Sequence, residues 1–133
     1  MRIYLIAVIC ISMSTKSKQP TESTIPEVKA DRLVEALMMV ESGGDSLAYN
    51  SSEDAVGVLQ IRPIMLREVN RILANDSFTL KDRWSKTKSI AMFNVLRSHL
   101  KGASDQKLAR TWNGGYKEKK ATLKYWAKVK KFL

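Results

Sequence analysis

Two residue types that usually carry chemistry are almost missing from this chain. Cysteine and histidine occur once each, as Cys10 and His99. A lone cysteine excludes an intramolecular disulfide, and a lone histidine excludes a histidine-rich metal centre. A Ser-His or Cys-His nucleophile pair would have to run through His99, and a zinc site would need mostly carboxylates. Three prolines and six glycines exclude a collagen-like or low-complexity chain. Acidic residues are scarce too: 13 Asp+Glu face 23 Lys+Arg, a net charge of +10. Such a field gathers polyanions at the surface without saying whether they are nucleic acid, phospholipid or cell wall. What remains is carboxylate chemistry on a chain of 133 residues, 44% of them hydrophobic, enough for one core and not for two.

Met1-Arg2 precedes nine residues without a charge, Ile3 to Ile11, and then Ser12-Met13-Ser14. This reads as a secretory signal over residues 1–14, with a short apolar anchor as the alternative, and it implies export to the periplasm, envelope or exterior. The run is short for a membrane span. Val8-Ile9 ahead of Cys10 lacks the small residue of a lipoprotein site. Residues 15–25 are polar and rich in Ser and Thr, a linker, so the folded unit is expected over 26–133.

Within that unit the class is mainly α. Thr24-Ile-Pro-Glu27 fits a capping box ahead of a helix through Val28, Leu33, Val34, Leu37 and Met38 that stops at Gly43-Gly44. Residues 45–61 lack a helical period and read as loop with a short β-hairpin. Further helices are expected from Pro63, from near Ser85, from Ser104 to Trp112, and from Lys119 to Phe132. There is no internal repeat.

Glu41 falls on the last turn of the first helix, beside Met38, Met39 and Val40. Partial burial there raises a carboxyl's pKa, and an acid still protonated near neutrality is what glycosidic cleavage requires. A solvated glutamate at a helix end is the plainer reading of that residue alone. Its company decides: Glu41-Ser42, then Gly57-Val-Leu-Gln60, then Ala109-Arg-Thr-Trp112-Asn113-Gly114-Gly115, then Tyr125. In this order they resemble the motifs of the lysozyme-like lytic transglycosylases of the SLT type: Glu-Ser, Gly-Leu-Met-Gln, Ala-x-x-Tyr-Asn-x-Gly and a late tyrosine. The resemblance spans about residues 30 to 130.

The resemblance implies a single lysozyme-like domain whose loop or short hairpin lines an active-site cleft. It implies that Glu41 is the catalytic acid and that the Tyr125 hydroxyl orients it. Ser42 would shape the site and touch substrate, Gly57 and Gln60 would line the cleft, and Asn113 would hold the sugar or its loop. Plainer roles stay open: Gly57 as a turn, Asn113 as a helix cap, Trp112 and Trp126 as core rather than sugar platforms. Tyr49, in the loop, is a further candidate for stacking on a sugar. The implied substrate is peptidoglycan, cut between N-acetylmuramic acid and N-acetylglucosamine by a monomer that needs no metal or other cofactor.

Three departures stand out. Glu53-Asp54-Ala55-Val56 occupies the place where the family often has a glycine, Val58-Leu59 replaces Leu-Met, and Trp112 replaces a tyrosine. A transglycosylase needs one carboxyl, whereas most hydrolases of this kind need two. Glu53 or Asp54 could supply the second and turn the outcome into lysozyme-type hydrolysis; Asp45 and Asp76 are weaker candidates. Seven lysines after residue 116 (Lys117, Lys119, Lys120, Lys124, Lys128, Lys130, Lys131) face only Glu118, a basic end suited to an anionic envelope. No nucleic-acid motif accompanies that charge. A non-catalytic wall-binding protein and a cationic membrane-active protein are the rival classes.

Overall fold

The computed structural model describes residues 30–133. The signal or anchor over 1–14, the linker over 15–25 and the Thr24–Glu27 capping box all lie outside the described residues. Five α-helices surround a minimal hairpin: α1 (Arg32–Ser42), β1 (Tyr49–Asn50), β2 (Ala55–Val56), α2 (Pro63–Leu73), α3 (Lys86–His99), α4 (Asp105–Gly114) and α5 (Lys120–Val129). Two 3₁₀ turns, Leu80–Trp84 and Lys130–Phe132, complete the path. The mainly α expectation holds. No helix among the described residues is long and apolar enough to cross a membrane.

The first helix starts later than its sequence suggested. Asp31 is the cap, its Oδ1 accepting the Val34 N–H at 3.0 Å, and the same carboxylate takes the Arg97 guanidinium from α3 at 2.5 Å. A carboxylate that satisfies both a helix N-terminus and a cation fixes the entry point more firmly than a hydroxyl does. At the other end Gly43 takes the left-handed conformation, φ 66°, and its N–H closes the helix on Met38 and Met39. Ser85 and Ser104 cap α3 and α4 through the Lys88 and Lys107 N–H groups, and Pro63 opens α2.

The core is one continuous cluster. Leu37 from α1, Leu59 and Ile61 after the hairpin, Met92, Phe93 and Leu96 from α3, and Val129 from α5 are fully enclosed. Phe93 meets Trp112 of α4 edge to face, ring centroids 5.3 Å apart. Helix α4 packs on α5, α2 on α3, and α1 on α5.

The antiparallel hairpin pairs Tyr49 with Val56 and Asn50 with Ala55. Strands of two residues cannot hold themselves. The support comes from Arg83 on the first 3₁₀ turn, a side chain that is buried although charged. Its Nη1 donates to the carbonyls of Asp54 (2.6 Å) and Ile61 (3.0 Å), and its Nε donates to that of Leu80 (3.0 Å). This turn, capped reciprocally by Thr79 and Asp82, is too short to leave a period in the sequence.

Candidate active site

Helix α1 ends at Ser42, ahead of the loop that leads to the hairpin, and Glu41 sits on its last turn. Its carboxyl lines a polar cleft of about 280 Å³ shared with Asn50, Glu53, Gln60, Arg62, Met65, Trp112 and Asn113. The buried Tyr125 of α5 donates its hydroxyl to Glu41 Oε1 at 2.7 Å. Partial enclosure drives the Glu41 pKa from 4.5 up to about 7. The Tyr125 hydrogen bond and the Arg62 charge pull it down, and the Glu53 charge pushes it up. Burial, with the neighbouring Glu41, also raises the Tyr125 pKa, so the phenol stays a neutral donor. With Oε1 occupied as an acceptor, Oε2 is the oxygen left to carry or take a proton.

The residues expected around Glu41 divide into cleft and scaffold. Gln60 and Asn113 line the cleft. Gln60 is pinned with φ 47°, its amide Nε2 donating to the carbonyls of Ala48 (3.2 Å) and Gly57 (3.0 Å), so its Oε1 is the face offered to a ligand. Asn113 also serves through its backbone, accepting Arg62 Nη2 at 2.8 Å.

Ser42 is not among the residues lining that cleft: its Oγ donates to the Val58 carbonyl at 2.8 Å and approaches that of Met38 at 3.3 Å, so it shapes the site by locking α1 to the loop. Gly57 is a correction. It is buried at φ 77°, and a Cβ there would run into the Arg83 carbonyl, so the glycine serves packing and does not line the cleft.

Tyr49 lies beside Trp84, ring centroids 6.2 Å apart, while its strand neighbour Asn50 is the residue that faces Glu41. Alternation along the strand accounts for the swap. Trp112 is core, 4% exposed, with its indole N–H given to the Leu59 carbonyl at 3.3 Å; only an edge reaches the cleft. Trp126 packs against the core.

The two loop acids also separate. Glu53 lines the cleft, whereas Asp54 pairs with Arg83 at 3.5 Å and is withdrawn as a second carboxylate. Asp45 is turned to the Leu47 N–H at 2.8 Å, and Asp76 lies beyond the far end of α2.

Arg62, Asn50 and Arg83 were not foreseen. The Arg62-Pro63 junction held a signal: a residue just before a helix-opening proline, two after Gln60, shares the cleft edge. Nothing local marks Arg83, whose partners lie 22 and 29 residues away in sequence. Among the described residues no group of three His, Cys, Asp or Glu side chains is arranged to hold a metal ion. No protein-family model, curated protein or solved structure matches the chain.

Proposed function

We propose that this chain is a lytic transglycosylase with a lysozyme-like fold, exported to act on peptidoglycan between N-acetylmuramic acid and N-acetylglucosamine. The observation that carries the proposal is Glu41 itself, a carboxyl protonated to about pH 7, held by Tyr125 and open to a polar cleft. In the proposed reaction Glu41 protonates the glycosidic oxygen as the bond to the muramic C1 breaks. The resulting carboxylate then removes the proton from the muramic C6 hydroxyl, whose oxygen closes on C1 as a 1,6-anhydro ring. Glu41 ends protonated, and no water is consumed. A pKa near 7 suits a group that must give and then take the same proton.

Tyr125 is the positioning residue, and Gln60 and Asn113 are the polar contacts offered to sugar. The exposed lysines of the last helix support wall attraction. Glu118, their one acidic neighbour, points to Lys107 and Arg110 at 3.4 and 3.6 Å and leaves them unopposed.

Lysozyme-type hydrolysis is the second reading, favoured by Glu53 in the same cleft. Mass spectrometry of soluble muropeptides released by the wild type, Glu41→Gln and Glu53→Gln tests both. Anhydromuramic ends that vanish only in Glu41→Gln support the transglycosylase. Reducing ends lost in both variants support the hydrolase. No wild-type product from several wall types refutes both.

A further inference from the structure

A larger groove, about 790 Å³, opens beside the cleft between α2, the end of α3, α4 and the start of α5. The two cavities share Arg62, Met65 and Asn113, so they lie side by side on either side of the contact in which Arg62 donates to the Asn113 carbonyl at 2.8 Å. The groove's apolar lining comes from the buried Met65 and Leu96 and the exposed Ile64 and Ala121. Its rim carries four cations, Arg62, Arg67, Arg71 and Lys119, against one acid, Glu68.

That acid is already committed. Glu68 accepts Arg71 through both oxygens, at 2.8 and 2.6 Å, and the Tyr116 hydroxyl at 2.5 Å. Arg71 holds its carboxyl down to about 2, so it stays ionised and spoken for. Arg62, Arg67 and Lys119 have no carboxylate partner among the described residues. An apolar trough with two unmatched cations at its edge, Arg67 and Lys119, and with Arg62 shared with the Glu41 cleft, fits an occupant with small aliphatic groups and more than one carboxylate.

We infer that this groove binds the acidic, alanine-bearing peptide carried by the muramic lactyl group, so that the sugar lies at Glu41 and its peptide lies between Arg62, Arg67 and Lys119. The inference rests on the peptidoglycan reading above and adds a specificity element to it. The argument is the adjacency of the two cavities together with charge complementarity. A neutral glycan would leave the cations unmatched, and an anionic polymer without aliphatic groups would leave the apolar lining wet.

The test is titration of the full chain with N-acetylmuramyl-alanyl-glutamate and with N-acetylmuramic acid, followed by backbone amide NMR shifts. The peptide-bearing sugar should bind about tenfold tighter, the effect of one or two charge-assisted contacts. It should also move the amides of Thr111, Gly114 and Tyr116. The double variant Arg67→Ala, Lys119→Ala should bring the two affinities together, and Ala121→Trp, which fills the groove, should do the same without touching charge. Equal affinities in the wild type, shifts confined to the Glu41 cleft, or preferential capture of poly(glycerol phosphate) at the same amides would each overturn the inference. Cleavage of peptide-stripped glycan strands reads the two proposals apart. Strands cut without any peptide preference leave the transglycosylase standing and the groove refuted, whereas peptide-dependent binding with no cleavage of any glycan does the reverse.

Discussion

Replacing Glu41 with glutamine should make the protein more stable at alkaline pH while abolishing the proposed cleavage. A carboxyl that ionises at 4.5 in the unfolded chain and at about 7 in the folded one binds more protons when folded. Its raised folded-state value gives stability that is present at low pH and lost as pH rises through about 7. Between pH 5 and pH 8.5 that loss amounts to between about 2 and 3 kcal/mol, from about 1.4 kcal/mol per tenfold change in proton affinity.

Glutamine keeps the shape and still accepts from Tyr125, but it cannot ionise. The stability of Glu41→Gln relative to wild type should therefore rise by that amount across the same pH window. Paired urea titrations at the two pH values read it as a difference of differences, in which contributions common to both proteins cancel. With a urea slope of roughly 1–3 kcal/mol per molar, the relative midpoint should move by about 1 M or more. A variant whose relative stability is the same at pH 5 and pH 8.5 would refute the claim that Glu41 is held protonated by its surroundings.

Tyr125→Phe removes a contact that lowers the Glu41 pKa, so the alkaline limb of the pH–rate profile should move above 7 while the rate falls tenfold or more, from loss of roughly 1.5–3 kcal/mol of hydrogen bonding to the carboxylate. An unmoved limb would detach Tyr125 from the acid. Gly57→Ala combines a left-handed backbone with a collision against the Arg83 carbonyl and should cost roughly 2–4 kcal/mol in thermal denaturation. Arg83→Met should lower stability by roughly 3 kcal/mol, since three carbonyls lose their donor. Asp54→Asn, at a 3.5 Å pair whose acid is half exposed while Arg83 is buried and keeps its carbonyl partners, should change stability by about 1 kcal/mol.

The helical body was legible because its boundaries are written in local chemistry. Ser85, Ser104, Pro63 and Gly43 each mark an end by what one side chain or one φ angle permits. The late start of α1 escaped because Asp31 draws its strength from Arg97, 66 residues away. The order of motifs puts Glu41 and Tyr125 in one site, and the Tyr125 hydroxyl lies 2.7 Å from Glu41 Oε1. Motif order could not say which motif residues face the cleft. Ser42 and Gly57 sit in the right sentence of the sequence yet spend their atoms on scaffold. Arg62 and Asn50, outside the motifs, reach the acid because strand alternation and a helix entry aim them there.

The Arg83 guanidinium gives the hairpin an origin independent of its own strands. Its hydrogen bonds grip Asp54 at the end of the turn and Ile61 beyond the hairpin, while Ser52 and Glu53 at the tip are held only locally, by Asn50. The cleft rim is therefore a graft clamped at its base. A tip shortened, lengthened or stripped of its acid would still be held at the same place over Glu41. The acid belongs to the body of the fold, while the group opposite it belongs to a few interchangeable residues. A single scaffold of this design can exchange one rim residue for another without disturbing the helix that carries Glu41.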